Sequence, residues 1–213
     1  MRKIGVIGSG PVGRTLAAGF AAHGYDVMIG SRRPGTLEAW AAAVPVRTGT
    51  VSEAARFGET VVLAVRGSAA EDAVRLAGPS VLSGKTVIDT TNPIAGPPSA
   101  AGVLPLFTDS GQSLMERLAA LAPQARFVKA FSCVGSGLMV SPGLAGGPPT
   151  MFICGDDASA KAEVGEILRL FGWDAEDMGG AETARAIEPL CMLWCIPGFA
   201  RDDWDHAFKV LRP

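Results

Sequence analysis

An α/β fold built on a doubly wound, mostly parallel sheet is predicted by three features of the sequence. Short apolar runs rich in β-branched residues alternate with helix-patterned segments through the first 130 residues. Such alternation marks βαβ units whose sheet is covered on both faces. The first run ends in Gly8-Ser9-Gly10-Pro11-Val12-Gly13 and opens directly into an Ala-rich helix, the setting a dinucleotide-binding glycine loop requires. The length, 213 residues, suits one such sheet with a small addition, at about 150 residues per domain. Together these predict a Rossmann-type fold with residues 1–155 as the nucleotide-binding domain. Residues 156–213 are expected to form a short helical C-terminal extension packed on the same domain.

The elements follow in order. Residues 3–7 form an apolar run ended by glycine, residues 12–22 a helix, and residues 26–29 the second strand. Residues 37–43 have helical patterning, and 44–46 are expected to be extended. Residues 60–65 read as a buried strand, 69–77 as a helix, and 85–89 as a β-branched strand. Pro93, Gly96, Pro97 and Pro98 then break the chain. Helical spacing returns over 114–121, followed by a strand over 126–131. A second breaker-rich loop, 142–149, precedes a strand over 150–154. Residues 159–171 form an amphipathic helix with Ala162, Ile167, Leu168 and Phe171 as candidate core residues. A further strand is expected over 174–178, a helix over 184–193 disturbed by Pro189, and a terminal helix over 203–211.

Composition excludes several classes. Hydrophobic residues make up 48% and charged residues 19% of the chain, which describes a globular core and not a disordered segment. With a formal net charge of −2 there is no electrostatic footprint for nucleic acid, and no basic run suits a membrane surface. Apolar stretches stay too short to span a bilayer. The apolar part of the N-terminus breaks after four residues, so it reads as a strand and not as a signal peptide. The expected compartment is the cytoplasm. Cys133, Cys154, Cys191 and Cys195 form no CxxC pair and read as reduced, buried thiols. With His23 and His206 as the two histidines, no metal site is predicted.

The glycine loop has a chemical logic. Gly8 permits the tight turn, Gly10 lets a pyrophosphate approach the backbone, and Gly13 lets helix and strand pack closely. The helix start supplies free N–H groups to an anion, and Pro11 suits the first turn because the N–H it lacks has no intrahelical partner there. Ser9 and Val12 complete the loop. About 20 residues on, where an NAD-specific site places an acid for the ribose 2′-hydroxyl, this chain has Gly30-Ser31-Arg32-Arg33-Pro34. Two guanidinium groups with Ser31 suit a 2′-phosphate through charge-assisted bonds, at about 1.5–3 kcal/mol each. NADP(H) is therefore the predicted cofactor.

Further segments carry a family resemblance. Ile29-Gly30-Ser31-Arg32 after the glycine loop, Asp89-Thr90-Thr91-Asn92-Pro93, Val128-Lys129-Ala130-Phe131, Phe152-Ile153-Cys154-Gly155-Asp156-Asp157, and Met178-Gly179-Gly180 through Ala184-Arg185-Ala186-Ile187-Glu188-Pro189-Leu190 resemble the coenzyme F420-dependent NADP oxidoreductases. They equally resemble the soluble oxidoreductase domain of the STEAP metalloreductases. Ser132 departs from the pattern, which often has Asn after Lys-Ala-Phe. The resemblance implies hydride transfer between NADP(H) and a flavin or deazaflavin acceptor, with F420, FMN or FAD as the second substrate. It also implies that Ala64, Val65 and Arg66 cover the cofactor, and that Asn92, Pro93 and Ala130, with Phe131 and Ser132, approach the nicotinamide. Hydride transfer between two rings depends mainly on orientation and exclusion of water, which agrees with the lack of an evident catalytic pair.

Other residues have plainer readings. Lys129 reads as structural, with strand alternation sending it toward the edge. Arg66 is either a cover on the cofactor or a solvated loop residue. Glu188 reads as a capping carboxylate, and Cys133 has nothing to support reactivity. The apolar stretch 189–199 is core, a wall of the acceptor pocket, or a homodimer interface. Two further functions stand beside the hydride carrier. One is an NADP(H)-binding sensor without turnover. The other is an imine- or hydroxyacid-type reductase, for which the residues after Cys154 are too few to make the usual helical domain. The expected partners are a small-molecule electron acceptor and a second copy of the chain in a homodimer, without nucleic acid or membrane.

Overall fold

The computed structural model describes residues 2–213. Strand β1 (Lys3–Ile7) passes through the glycine loop into α1 (Pro11–Ala22), and β2 (Asp26–Gly30) returns beside it. A 3-10 turn (Pro34–Leu37) and the one-turn α2 (Glu38–Ala41) precede β3 (Arg47–Gly49). Helix α3 (Val51–Phe57) crosses back to β4 (Thr60–Leu63), and α4 (Ala70–Ala77) with α5 (Pro79–Leu82) leads to β5 (Thr86–Asp89). A long loop, α6 (Leu114–Leu121) and β6 (Arg126–Lys129) complete the sheet. The strands are parallel in the order β3-β2-β1-β4-β5-β6. The direction of winding reverses between β1 and β4, and ligands of such sheets bind outside the carboxyl ends of the strands at that switch.

Beyond this sheet, β7 (Thr150–Ile153), α7 (Ala158–Leu170) and β8 (Asp174–Asp177) make a second parallel pair. It docks on the edge of the sheet through one antiparallel bridge, where Lys129 N donates to Cys154 O at 2.9 Å. Helices α8 (Ala184–Ile187) and α9 (Leu190–Arg201) follow.

Burial explains the strands. Every residue of β4 and β5 is buried, as expected for central strands covered on both faces. Alternation divides them between two cores. Ile4, Val6 and Val62 pack with Leu16, Phe20 and Phe171 on one face. Ile7, Val61 and Leu63 pack with Val74, Leu114 and Leu118 on the other. Helices α3 and α6 each start at a capping box, Thr50 with Glu53 and Ser113 with Glu116, which satisfies orphan N–H groups at both starts.

Several expectations are corrected. The extended piece lies at 47–49, where backbone pairs with Met28–Gly30, and not at 44–46. Helix α3 and helix α5 were not expected. In α7 the buried positions are Ala160, Val164, Ile167 and Leu168, with Phe171 just beyond, whereas Ala162 faces solvent. The expected helix over 184–193 is broken at Glu188 and Pro189 into α8 and α9. No helix forms over 203–211. Asp202 stops α9 in the left-handed region at φ 56, and the tail runs beside β7. There Thr150 N donates to Phe208 O at 2.8 Å and Val210 N donates to Thr150 Oγ1 at 3.0 Å.

Candidate functional site

A cleft of about 970 Å³ opens at the carboxyl ends of β1, β2 and β4. The glycine loop forms its floor. Gly8 has φ +128, and a Cβ there would stand 2.1 Å from Ala64 O. A Cβ on Gly13 would stand 2.0 Å from Gly8 O, whereas one on Gly10 would meet nothing within 4 Å. Gly8 and Gly13 thus serve the fold, while Gly10 leaves open space in front of the helix start. Gly10 is the N-cap of α1, and no side chain caps the helix. Its first N–H groups therefore have no intrahelical partner and suit an anion. Arg14 Nε donates to Ser9 O at 3.0 Å and fixes the loop from behind.

The basic turn after β2 forms one wall. Ser31 Oγ donates to Ser9 Oγ at 3.2 Å and accepts from Arg33 N at 3.1 Å. Arg32 and Arg33 are exposed beside the cleft, and Arg66 is exposed on the loop after β4. Among the described residues that line the cleft, the sole carboxylate is Asp72, and Arg75 pairs with it at 2.8 Å and with Glu71 at 3.0 Å. The cleft is therefore positive at the end where β2 stops.

The cleft brings together Gly8, Ser9, Gly10, Ser31, Arg32, Arg33, Ala64, Val65 and Arg66 of the expected site residues. Pro11, Val12 and Gly13 form the helix start behind them. Asn92, Pro93 and Ala130 are not in this lining. They follow the next two strand ends, and the backbone O of Asn92 presses on Gly67, where a Cβ would stand 1.9 Å from it. Pro93 and Ala130 are buried, so they support the shelf from below and present no side chain to the cleft. The far wall was not anticipated. Ala69, Asp72, Ala73 and Leu76 come from the start and one face of α4, at the i, i+3, i+4, i+7 spacing visible in the sequence.

At the ends of β5 and β6, Asn92 Nδ2 donates to Ser132 O at 2.7 Å. Asn92 Oδ1 and Ser132 Oγ are buried without a hydrogen-bond partner. Phe131 between them and the strand has φ 59, uncommon for a bulky residue.

Beneath this shelf lies a buried charge cluster. Lys129 is 0% exposed, which corrects the expected edge position. The cause is the antiparallel bridge to Cys154, which covers β6. Its Nζ lies 2.6 Å from Asp89 Oδ2 and 2.8 Å from Glu188 Oε1, and donates to Thr91 O at 2.8 Å. Burial alone would lower the lysine pKa, but the two carboxylates outweigh it and hold the pKa above its ordinary value. Glu188 caps as expected, though for a distant helix: it accepts from Leu114 N and Met115 N, both at 2.9 Å, at the start of α6. Burial pushes Cys133 up to about 12 and Cys154 up to about 11, so both are inert thiols. In the apolar stretch, Cys191 and Trp194 are buried while Leu193 and Phe199 are exposed.

The residues present fit a dinucleotide, with an open approach at Gly10, free helix N–H groups and unopposed arginines. Residues 3–93 match the family model for coenzyme F420-dependent NADP oxidoreductases. Metalloreductase STEAP3 of Rattus norvegicus is 32% identical over 199 residues. That match spans 92% of this chain and 38% of the length of the relative. A solved structure from Arthrobacter sp. FB24, described as a candidate F420-dependent NADP reductase, is 35% identical with a TM-score of 0.91, covering 100% of both chains. An imine reductase from Pseudomonas sp. shares the fold at 18% identity and a TM-score of 0.70, covering 93% of this chain and 63% of that one. Among the described residues no helix is long and apolar enough to cross a membrane, and no cluster of three or more His, Cys, Asp or Glu is placed to hold a metal ion.

Proposed function

The chain belongs to the coenzyme F420-dependent NADP oxidoreductase family, an NADP-dependent oxidoreductase by that membership, and on this premise we propose that it transfers hydride between NADP(H) and a flavin or deazaflavin acceptor. The observation that carries the acceptor class is the state of Lys129. It is sealed in the core at 0% exposure, donating to Thr91 O and ion-paired with Asp89 and Glu188. It cannot protonate a carbonyl or imine in the cleft. A ring-to-ring transfer needs no such acid at the reacting carbon, because the accompanying proton exchanges with solvent.

The chain's own residues then bind and orient. Gly10 and the start of α1 receive the pyrophosphate, and Arg32 and Arg33 with Ser31 receive the 2′-phosphate. Val65 and Arg66 cover the middle of the cofactor. Asn92 and Ser132 form a polar shelf at the nicotinamide end. When bound, the reduced nicotinamide supplies the hydride. The acceptor ring approaches from the side of α9, and a second copy of the chain, docking through exposed Leu193 and Phe199, completes that side.

The test is NADPH oxidation followed with FMN, FAD, F420 and ferric chelates in turn. Reduction of a flavin or of F420 supports the proposal. Tight NADPH binding without reduction of any acceptor replaces it with the sensor reading, and turnover confined to imines or ketones replaces it with the reductase reading.

A further inference from the structure

We propose that Lys129 is a positioning residue, whose ammonium fixes the loop carrying Asn92 and thereby the shelf that receives the nicotinamide carboxamide. This rests on the reading that NADP(H) occupies the cleft.

Lys129 ends β6, and its partner in register is Asp89, the last residue of β5. The pair lies directly under the two loops that leave these strands. Asp89 Oδ1 accepts from Thr91 N at 2.9 Å and from Thr91 Oγ1 at 2.7 Å. Lys129 Nζ donates to Thr91 O at 2.8 Å. The backbone of Thr91 is therefore held at its N–H by the carboxylate and at its C=O by the ammonium. The bond to Thr91 O holds the peptide unit that leads into Asn92, and the bond to Thr91 N holds the unit before it. Asn92 is then braced twice more, by its Nδ2 bond to Ser132 O and by the close approach of its carbonyl to Gly67. One ammonium thus sets the relative position of the loops after β4, β5 and β6.

The shelf that results is incomplete in a specific way. Asn92 Oδ1 and Ser132 Oγ are buried without partners, although buried polar atoms are nearly always paired. Phe131 holds the adjacent backbone in the left-handed region, a strain that tends to persist at functional sites. An acceptor oxygen beside a hydroxyl, which both donates and accepts, matches a primary carboxamide, which offers N–H donors and one carbonyl.

The test separates positioning from simple stability. Lys129→Met combined with Asp89→Asn keeps the net charge of the cluster, and Glu188 keeps its two N–H partners at α6. After thermal unfolding shows that this variant is folded, Kd is measured by calorimetry for NADPH and for 2′-phospho-ADP-ribose, the same molecule without nicotinamide. We expect the fragment Kd to stay within about twofold of wild type and the NADPH Kd to rise at least about fivefold. Asn92→Ala, which leaves the charge cluster intact, should do the same. Adding Asn92→Ala to the charge-balanced variant should then change little, because the lysine acts through that residue. Equal loss of affinity for both ligands, or full additivity with Asn92→Ala, would overturn the proposal. An unchanged nicotinamide share in Asn92→Ala alone would also overturn it, whether or not the other variant folds. A wild-type chain that binds neither ligand removes the cofactor reading and this proposal together.

Discussion

Ser31 Oγ donates to Ser9 Oγ across 3.2 Å, which ties the turn after β2 to the glycine loop after β1. Arg32 and Arg33 follow that bond directly. They are exposed and line the cleft, and they form the proposed seat of the 2′-phosphate.

Arg32→Asp should therefore raise the NADPH dissociation constant about tenfold or more and leave that for NADH nearly unchanged. The substitution removes an attractive charge and adds a repulsive one that acts on the phosphate alone. Titration of both nucleotides by fluorescence reads the ratio. An unchanged NADPH affinity would discard the assignment of this turn.

Gly8→Ala and Gly10→Ala should separate folding from binding. At Gly8 the new Cβ would enter backbone at a φ of +128, so a loss of about 2–4 kcal/mol is expected in urea unfolding. At Gly10 the Cβ meets no protein atom, so stability should change by less than about 0.5 kcal/mol while dinucleotide affinity falls at least about tenfold. Equal stability of the two variants would contradict this division.

Glu188→Ala should cost about 3–5 kcal/mol, the range for breaking a buried ion pair from one side. Lys129 would lose one of two carboxylates, and Leu114 N and Met115 N would lose their acceptor. Denaturant melts of wild type and variant measure it. A cost below about 1 kcal/mol would mean that the cluster relaxes and takes in water.

Glu116 gives a pH-dependent prediction. The bidentate bonds from Arg185, 2.9 and 2.7 Å, together with the Ser113 N–H and hydroxyl, hold its carboxyl down at about 2, against an ordinary 4.5. A carboxylate with a depressed folded pKa stabilises the fold fully above its unfolded value, and that contribution is lost as pH falls through the folded one. Glu116→Gln should therefore be about 1–2 kcal/mol less stable than wild type at neutral pH, with solvent screening part of the pair. The gap should shrink between pH 4.5 and 2. A gap independent of pH would show that the pair contributes by shape alone.

The nucleotide half of the site was legible because its signals are local. The glycine loop, the basic turn and the strands beside them lie within 33 residues of sequence, and each has a fixed chemical meaning. The start of helix α3 also has a local signal, since Thr50 and Glu53 spell a capping box just before an apolar pattern. The tail has no such signal: Asp203 to Leu211 has helical spacing, while its hydrogen bonds go sideways to Thr150, and sideways pairing leaves no period. The environment of Lys129 was not legible at all. Its burial depends on Cys154 closing over β6 and on Glu188 arriving from the far end of the chain.

That long reach also bears on how the molecule is made. Glu188 accepts from residues 74 and 73 positions earlier. As the chain leaves a ribosome, the strands that frame the cleft are complete long before Lys129, at the end of the edge strand β6, has its second counter-ion and α6 its cap. The first half can collapse early, but its last layer locks late. A nascent chain stalled before Glu188 would present an unfinished interior to chaperones and proteases, whatever the state of its glycine loop.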